Sequence, residues 1–204
     1  MNWYGRRPWP DSRLVGVGVL SGLVLLLVCI VWTPGQNVAA SAPPARWFAA
    51  APDPASKKVL AKLNREDLLF PVPAVTPKSM ANSFADSRGK RIHHAVDILA
   101  PRHSEIVAVV DGTVARMMSS VAGGIAVYQY DDDHDFVFYY AHLQGYAPGL
   151  KEGDPVKRGQ VLGYVGTTGN APANTPHLHF AIAEVENKDQ WWGGKPVDPY
   201  PVWR

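Results

Sequence analysis

From Phe70 onward the chain is a succession of short apolar runs, each closed by glycine or aspartate turn signals, and that rhythm excludes a helix-built fold. Ile106 to Val110, Ile125 to Tyr130, Phe136 to Tyr140, Val161 to Val165 and His177 to Ile182 read as strands. Between them stand Asp111-Gly112, Gly123-Gly124, Asp131 to Asp133, Glu152-Gly153 and Thr168-Gly169-Asn170, spaced as the turns of an antiparallel sheet. The expected fold class is therefore mainly β. The three consecutive aspartates read as a solvated hairpin tip rather than as a cation site.

The N-terminal part has a different texture. Leu14 to Thr33 is a twenty-residue run without a charge, long enough to cross a bilayer core of about 30 Å. Arg6, Arg7 and Arg13 precede it and the next basic residue is Arg46, so the positive-inside rule assigns residues 1–13 to the cytoplasm and the remainder to the outer side. The other reading is a cleaved signal, because Ala40-Ser41-Ala42 has the small-x-small pattern. Against it, the run exceeds the about 7–15 residues of a signal core and Pro43 follows the cut. Pro34 to Pro54 has linker composition, and Ser56 is expected to cap a short helix through about Asn64, with Val59, Leu60 and Leu63 on one face. Residues 34–68 are thus linker and residues 69–204 the domain. Cys29, the single cysteine, lies inside the apolar run and serves neither a disulfide nor a thiolate metal site. Twenty Lys and Arg against eighteen Asp and Glu leave a formal charge of +2, which is no nucleic-acid footprint.

Histidines interrupt three apolar strands, and burying such groups is unfavourable unless they are hydrogen-bonded, paired or bound to metal. The first place is Arg91-Ile92-His93-His94-Ala95-Val96-Asp97-Ile98-Leu99. If it is a strand, His93 and Asp97 point the same way with small Ala95 between them, while Val96 and Ile98 face oppositely. The second is His177-Leu178-His179-Phe180, with two imidazoles on one face and apolar residues on the other. Each alone has a plain reading: an aspartate bonded to backbone, a half-exposed strand. Together they offer two nitrogens and one carboxylate oxygen, a three-ligand set with a fourth tetrahedral position open, as in catalytic zinc. The absence of thiolate admits other divalent transition metals too. The third place, Tyr139-Tyr140-Ala141-His142-Leu143, puts a histidine at the end of a predicted strand. His94, His103 and His134 lack such a setting and are expected at the surface or behind the site.

In this order the three motifs resemble the lysostaphin/LytM family of zinc metallopeptidases, which cut the peptide portion of bacterial peptidoglycan. The resemblance runs from about Leu69 to Trp203 and includes Ser83-Phe84, Ala100-Pro101, Asp111-Gly112-Thr113-Val114, Gly153 to Gln160, Gly163 to Gly169 and Pro196-Val197-Asp198-Pro199. It implies that His93, Asp97 and His179 bind zinc. His142 and His177 are implied to stay off the metal, to orient or deprotonate water and to stabilise the oxyanion. Ala95 stands where glycine is usual and His103-Ser104 where Gly-Thr is common. The implied fold is an antiparallel sheet with a long open groove, and the short layout is similar to Gram-negative relatives, in which the bond cut joins D-alanine to meso-diaminopimelate. That places the expected anchor in the inner membrane and the domain in the periplasm. A different class within the same resemblance is a non-catalytic module that activates a cell-wall amidase. Regulatory protein partners are not legible in the sequence.

Overall fold

The computed structural model describes residue 63 and residues 68–89, 91–188 and 190–204. The expected membrane segment, most of the linker and its short helix lie outside the described residues. Among the described residues no helix is long and apolar enough to cross a membrane.

The mainly β expectation holds. A small hairpin, β1 (Ser87–Arg88) with β2 (Arg91–Ile92), precedes a nine-stranded sheet. The sheet contains β3 (Val96–Leu99), β4 (Glu105–Val107), β5 (Gly112–Ser120), β6 (Gly124–Asp131), β7 (Phe136–Tyr146), β8 (Pro155–Val156), β9 (Val161–Val165), β10 (His177–Glu184) and β11 (Lys195–Val197). The order β11-β10-β7-β6-β5-β8 runs through it, with β3 joined to β10 and with β9 joined to β7 and β4. All of these pairings are antiparallel.

Alternation along the long strands builds two unequal cores. Leu178, Phe180 and Ile182 of β10 meet Phe136, Phe138 and Tyr140 of β7 in the larger one, closed by Val202 and the partly buried Trp203. The opposite face carries smaller residues, Ala181 and Ala183 beside Ala141, Ala126 and the rings of Tyr139 and Tyr128. The histidines of β10 lie on this second face, where short side chains leave room above the sheet. The Asp131 to Asp133 tip is more than solvated: Asp131 Oδ1 accepts the backbone N–H groups of Asp135 and Phe136, both at 2.9 Å, and so closes the β6-β7 turn.

A buried polar chain pins β6 and β7 to the segment after β4. Tyr140 donates its hydroxyl to Gln129 Oε1 at 2.7 Å, accepts the Val109 N–H at 3.2 Å, and Gln129 Nε2 donates to the Val110 carbonyl at 2.8 Å. The Tyr140 and Gln129 side chains and Val109 are fully buried. Tyr140→Phe strands a buried donor and acceptor, so it is expected to cost about 1–3 kcal/mol. For a domain of this size that lowers the melting temperature by roughly 5 °C or more in a calorimetric scan.

Candidate metal centre

The expectation of a continuous strand through His93 and Asp97 needs correction. Four residues of straight strand would separate His93 from Asp97 by ~13 Å, however well their side chains align. Instead β2 ends at Ile92, β3 begins at Val96, and His94 between them takes the left-handed conformation, φ +51°. The break folds the chain back so that His93 Nε2 lies 3.3 Å from Asp97 Oδ1. Residues 80–86 hold it there: His93 N–H donates to the Asp86 carbonyl, His94 N–H to the Phe84 carbonyl and Ala81 N–H to the Asp97 carbonyl, each at 2.9 Å. Of the two settings expected for His94, the structure gives the one behind the site: it is buried beside the Phe84 ring, neither of its ring nitrogens makes a hydrogen bond, and burial, followed by the neighbouring His93, lowers its pKa.

His179 arrives by register. It is the Cα partner of Asp97 on β3 and of Ala141 on β7, which puts its ring over the small-residue face. His179 Nδ1 then stands 3.2 Å from Asp97 Oδ1 and 3.0 Å from His93 Nε2. These three atoms form a nearly equilateral triangle, and His93, Asp97 and His179 are the group able to hold a metal ion among the described residues. Tetrahedral ligands at about 2.0–2.1 Å from zinc stand about 3.3 Å from one another, so the triangle has the right size.

Protonation supports the same conclusion. The His93 Nδ1–H donates to the Ser83 carbonyl at 3.0 Å, because a carbonyl only accepts, and so Nε2 presents a bare lone pair. Burial raises the Asp97 pKa, but the close His179 and His93 imidazoles outweigh it and hold the carboxyl well below the usual carboxylate range. Burial likewise lowers the His179 pKa. The His93 lone pair and an ionised carboxylate therefore meet beside His179 Nδ1, an arrangement suited to a cation. Asp97 Oδ2, turned away from the triangle, accepts from Arg88 at 3.0 Å. Sequence reasoning gave Arg88 no role, and nothing in its local pattern singles it out.

His142 and His177 are brought to the same place. Their rings are 4.9 Å apart, the His142 ring is 5.6 Å from that of His179, and His177 Nε2 is 3.9 Å from Asp97 Oδ1. Each is fixed by a carbonyl: His142 Nδ1–H donates to Thr168 and His177 Nδ1–H to Thr175, both at 2.8 Å, so that Nε2 is the nitrogen of the neutral ring left to accept. His142 does not end its strand as expected. β7 continues through it to Tyr146, and His142 takes φ +61° at an irregularity in the pairing of β6 and β7. Its N–H donates to the Gly123 carbonyl at 2.8 Å. Thr168 is itself clamped, donating its hydroxyl to the Leu143 carbonyl at 2.7 Å and accepting the Ile125 N–H at 2.9 Å. That clamp needs glycine at 124, where a Cβ would stand 2.3 Å from the Thr168 backbone. Burial, then the neighbouring His179, pushes the His142 pKa down to about 4, so the ring is neutral at pH 7.

Ala95 is fully buried in the small-residue cluster, while His103 is exposed and carries φ +68°, the left-handed conformation a glycine takes without strain. His134 stacks on Tyr130, 4.3 Å between centroids, away from the centre.

Comparison with known proteins agrees with this geometry. The chain is 34% identical over 140 residues to the L-Ala–D-Glu endopeptidase of Bacillus subtilis, an alignment covering 65% of this chain and 41% of that one. It is 33% identical over 90 residues to the peptidoglycan DD-endopeptidase ShyC of Vibrio cholerae, covering 44% and 20%. The chain thus spans less than half the length of these curated relatives. Among solved structures, a putative glycyl-glycine endopeptidase of Ruminococcus gnavus superposes with a TM-score of 0.56 at 31% identity, over 68% of this chain and 60% of that one. The family model described as peptidase family M23 matches residues 91–199, more than half of the chain, and with the fold and the His-Asp-His triangle in agreement the chain belongs to peptidase family M23.

Proposed function

We propose that the chain is a zinc-dependent endopeptidase that hydrolyses the peptide cross-links of bacterial peptidoglycan. The observation that carries this reading is the convergence of His93 Nε2, Asp97 Oδ1 and His179 Nδ1 within 3.0–3.3 Å, with two further imidazoles alongside. Relatives named as endopeptidases of peptidoglycan bonds support the substrate class. Two imidazoles and one carboxylate suit zinc and leave a coordination position free. When bound, the metal polarises the scissile carbonyl and acidifies water. His142 and His177, held as Nδ1–H tautomers by backbone carbonyls, present basic Nε2 atoms that orient the attacking water, accept its proton and pass it to the leaving amine. As either ring gains a proton it stabilises the oxyanion. The amidase-activating alternative gives these five side chains no task.

The test is digestion of purified peptidoglycan by the full chain, followed by mass analysis of the released fragments. Hydrolysis within the peptides, with glycan strands intact, is the expected outcome and identifies the bond, for which D-alanine to meso-diaminopimelate is our proposal. Release of whole stem peptides from the glycan, or no release, would refute the reading.

Arg88 is expected to act on metal affinity. Arg88→Ala frees Asp97 Oδ2 and should weaken zinc binding about tenfold in a chelator competition, the lower end of what ligand-supporting residues contribute because the guanidinium is half exposed. An unchanged affinity would make the ion pair incidental.

We also propose that Leu14 to Thr33 anchors the protein in the inner membrane with the domain in the periplasm. The uncharged run and the arginines before it support this. Retention in membranes after high-salt washing is expected, whereas a mature soluble chain beginning near Pro43 would make the segment a cleaved signal.

A further inference from the structure

Residues 185–188 and 190–194, between β10 and β11, lie across the small-residue face of the sheet. Val185 N–H donates to the Asp135 carbonyl at 2.8 Å and Lys188 Nζ to the Asp133 carbonyl at 2.7 Å, which ties the loop to the β6-β7 turn. Gly193 at φ +88° and Gly194, whose Cβ would lie 2.2 Å from the Glu184 carbonyl oxygen, return the chain tightly into β11. The turn presses Trp191 edge-on against Tyr128, 4.6 Å between centroids, with the Arg116 guanidinium 6.0 Å from its ring. Trp192 stands 5.0 Å from Trp191 and at 68° to it, and both indoles remain partly exposed.

These rings continue the candidate metal centre. Tyr128 packs on Tyr139 at 4.5 Å, and Tyr139 meets the His179 ring at 5.8 Å. Tyr139 lies two residues along β7 from Ala141, the partner of His179, and Tyr128 one strand further. With ~3.3 Å per residue along a strand and ~4.8 Å between strands, the indoles stand on the order of 10–15 Å from the metal triangle. Three or four extended residues of a stem peptide span ~10–14 Å. A stem peptide lying in the site with its sugar end toward the loop would thus be long enough to bring that sugar to the tryptophans.

We propose that Trp191 and Trp192 form a saccharide-stacking subsite that holds an N-acetylhexosamine ring of the glycan strand. This rests on the endopeptidase reading. A pyranose offers a flat C–H face to an indole and hydroxyls at its rim, and here the Arg116 guanidinium stands 6.0 Å from the Trp191 ring to meet such hydroxyls. A protein partner would need a wider apolar patch than two indoles set among Asn187, Lys188 and Gln190.

The experiment uses the full chain with two cross-linked dimers of identical peptides, one carrying its disaccharides and one stripped of them. It also uses peptide-free glycan strands as a fluorescence titrant. Wild type is expected to favour the sugar-bearing dimer in kcat/KM by about tenfold and to show quenching by the strands. Trp192→Ala, with zinc content and melting temperature at wild-type values, is expected to bring the ratio to about one and abolish quenching, and Trp192→Phe to recover part of both. Equal cleavage of the two dimers by wild type, or full sugar preference in Trp192→Ala, overturns the subsite. If neither dimer is cut, the endopeptidase reading falls, and quenching by the strands alone then decides the subsite.

Discussion

Asp97→Ala will empty the metal centre and abolish hydrolysis in a single step. Asp97 is the one anionic ligand of the triangle, and both imidazole nitrogens lie within 3.3 Å of its Oδ1. Removing it leaves two neutral nitrogens, too few for a tight site, and discards the negative charge that offsets a divalent cation. Zinc should fall from about one per chain toward zero in metal analysis after gel filtration. Peptidoglycan hydrolysis should disappear with it. Because Asp97 packs between His93 and His179, the metal-free variant is expected to keep its sheet, which rests on the larger core behind β10, while losing order at the segment around His93. Retention of stoichiometric zinc by Asp97→Ala would remove this residue from the ligand set.

His142→Ala should fail differently, keeping zinc and losing turnover. No triangle atom belongs to His142, so metal content should match wild type. The neutral ring, with its Nδ1–H held by Thr168, is placed to handle the water's proton, and loss of such a group costs about 10²–10⁴-fold in kcat. One structural cost accompanies the change. Histidine already carries the strain of φ +61°, and alanine in addition loses the Nδ1–H bond to Thr168, about 1 kcal/mol, so the melting temperature should drop a few degrees. His142→Asn, which tolerates that conformation better, separates the two effects: stability returns and activity does not. His177→Ala should share the rate loss with zinc retained. Normal envelope function in cells from Asp97→Ala, His142→Ala and His177→Ala at normal protein levels would instead favour the amidase-activating alternative.

The β character, most strand positions and the identity of the five converging side chains were legible in the sequence, because alternation and turn residues are local signals. Three features were not. β5 escaped because Ala115 to Ser120 has no apolar alternation; it is a mostly half-exposed strand defined by its hydrogen bonds to β6. The turn-back at His94 escaped because a left-handed histidine has no pattern in sequence, although without it His93 and Asp97 would be far apart. Arg88 and Trp191 escaped because their partners, Asp97 and Tyr128, come from other elements. What placed His179 rather than His177 against Asp97 is strand register, a property of pairing between β3 and β10 and not of either segment alone.

The measurement that bears most directly on the central claim is hydrolysis of purified peptidoglycan through a cycle of metal removal and return. The full chain is stripped with chelator, checked for retained fold by circular dichroism, assayed, and assayed again after one equivalent of zinc. No peptide-bond cleavage is expected in the stripped, folded protein, with recovery on stoichiometric zinc in wild type but not in Asp97→Ala. Cleavage that persists in folded protein free of metal would contradict it.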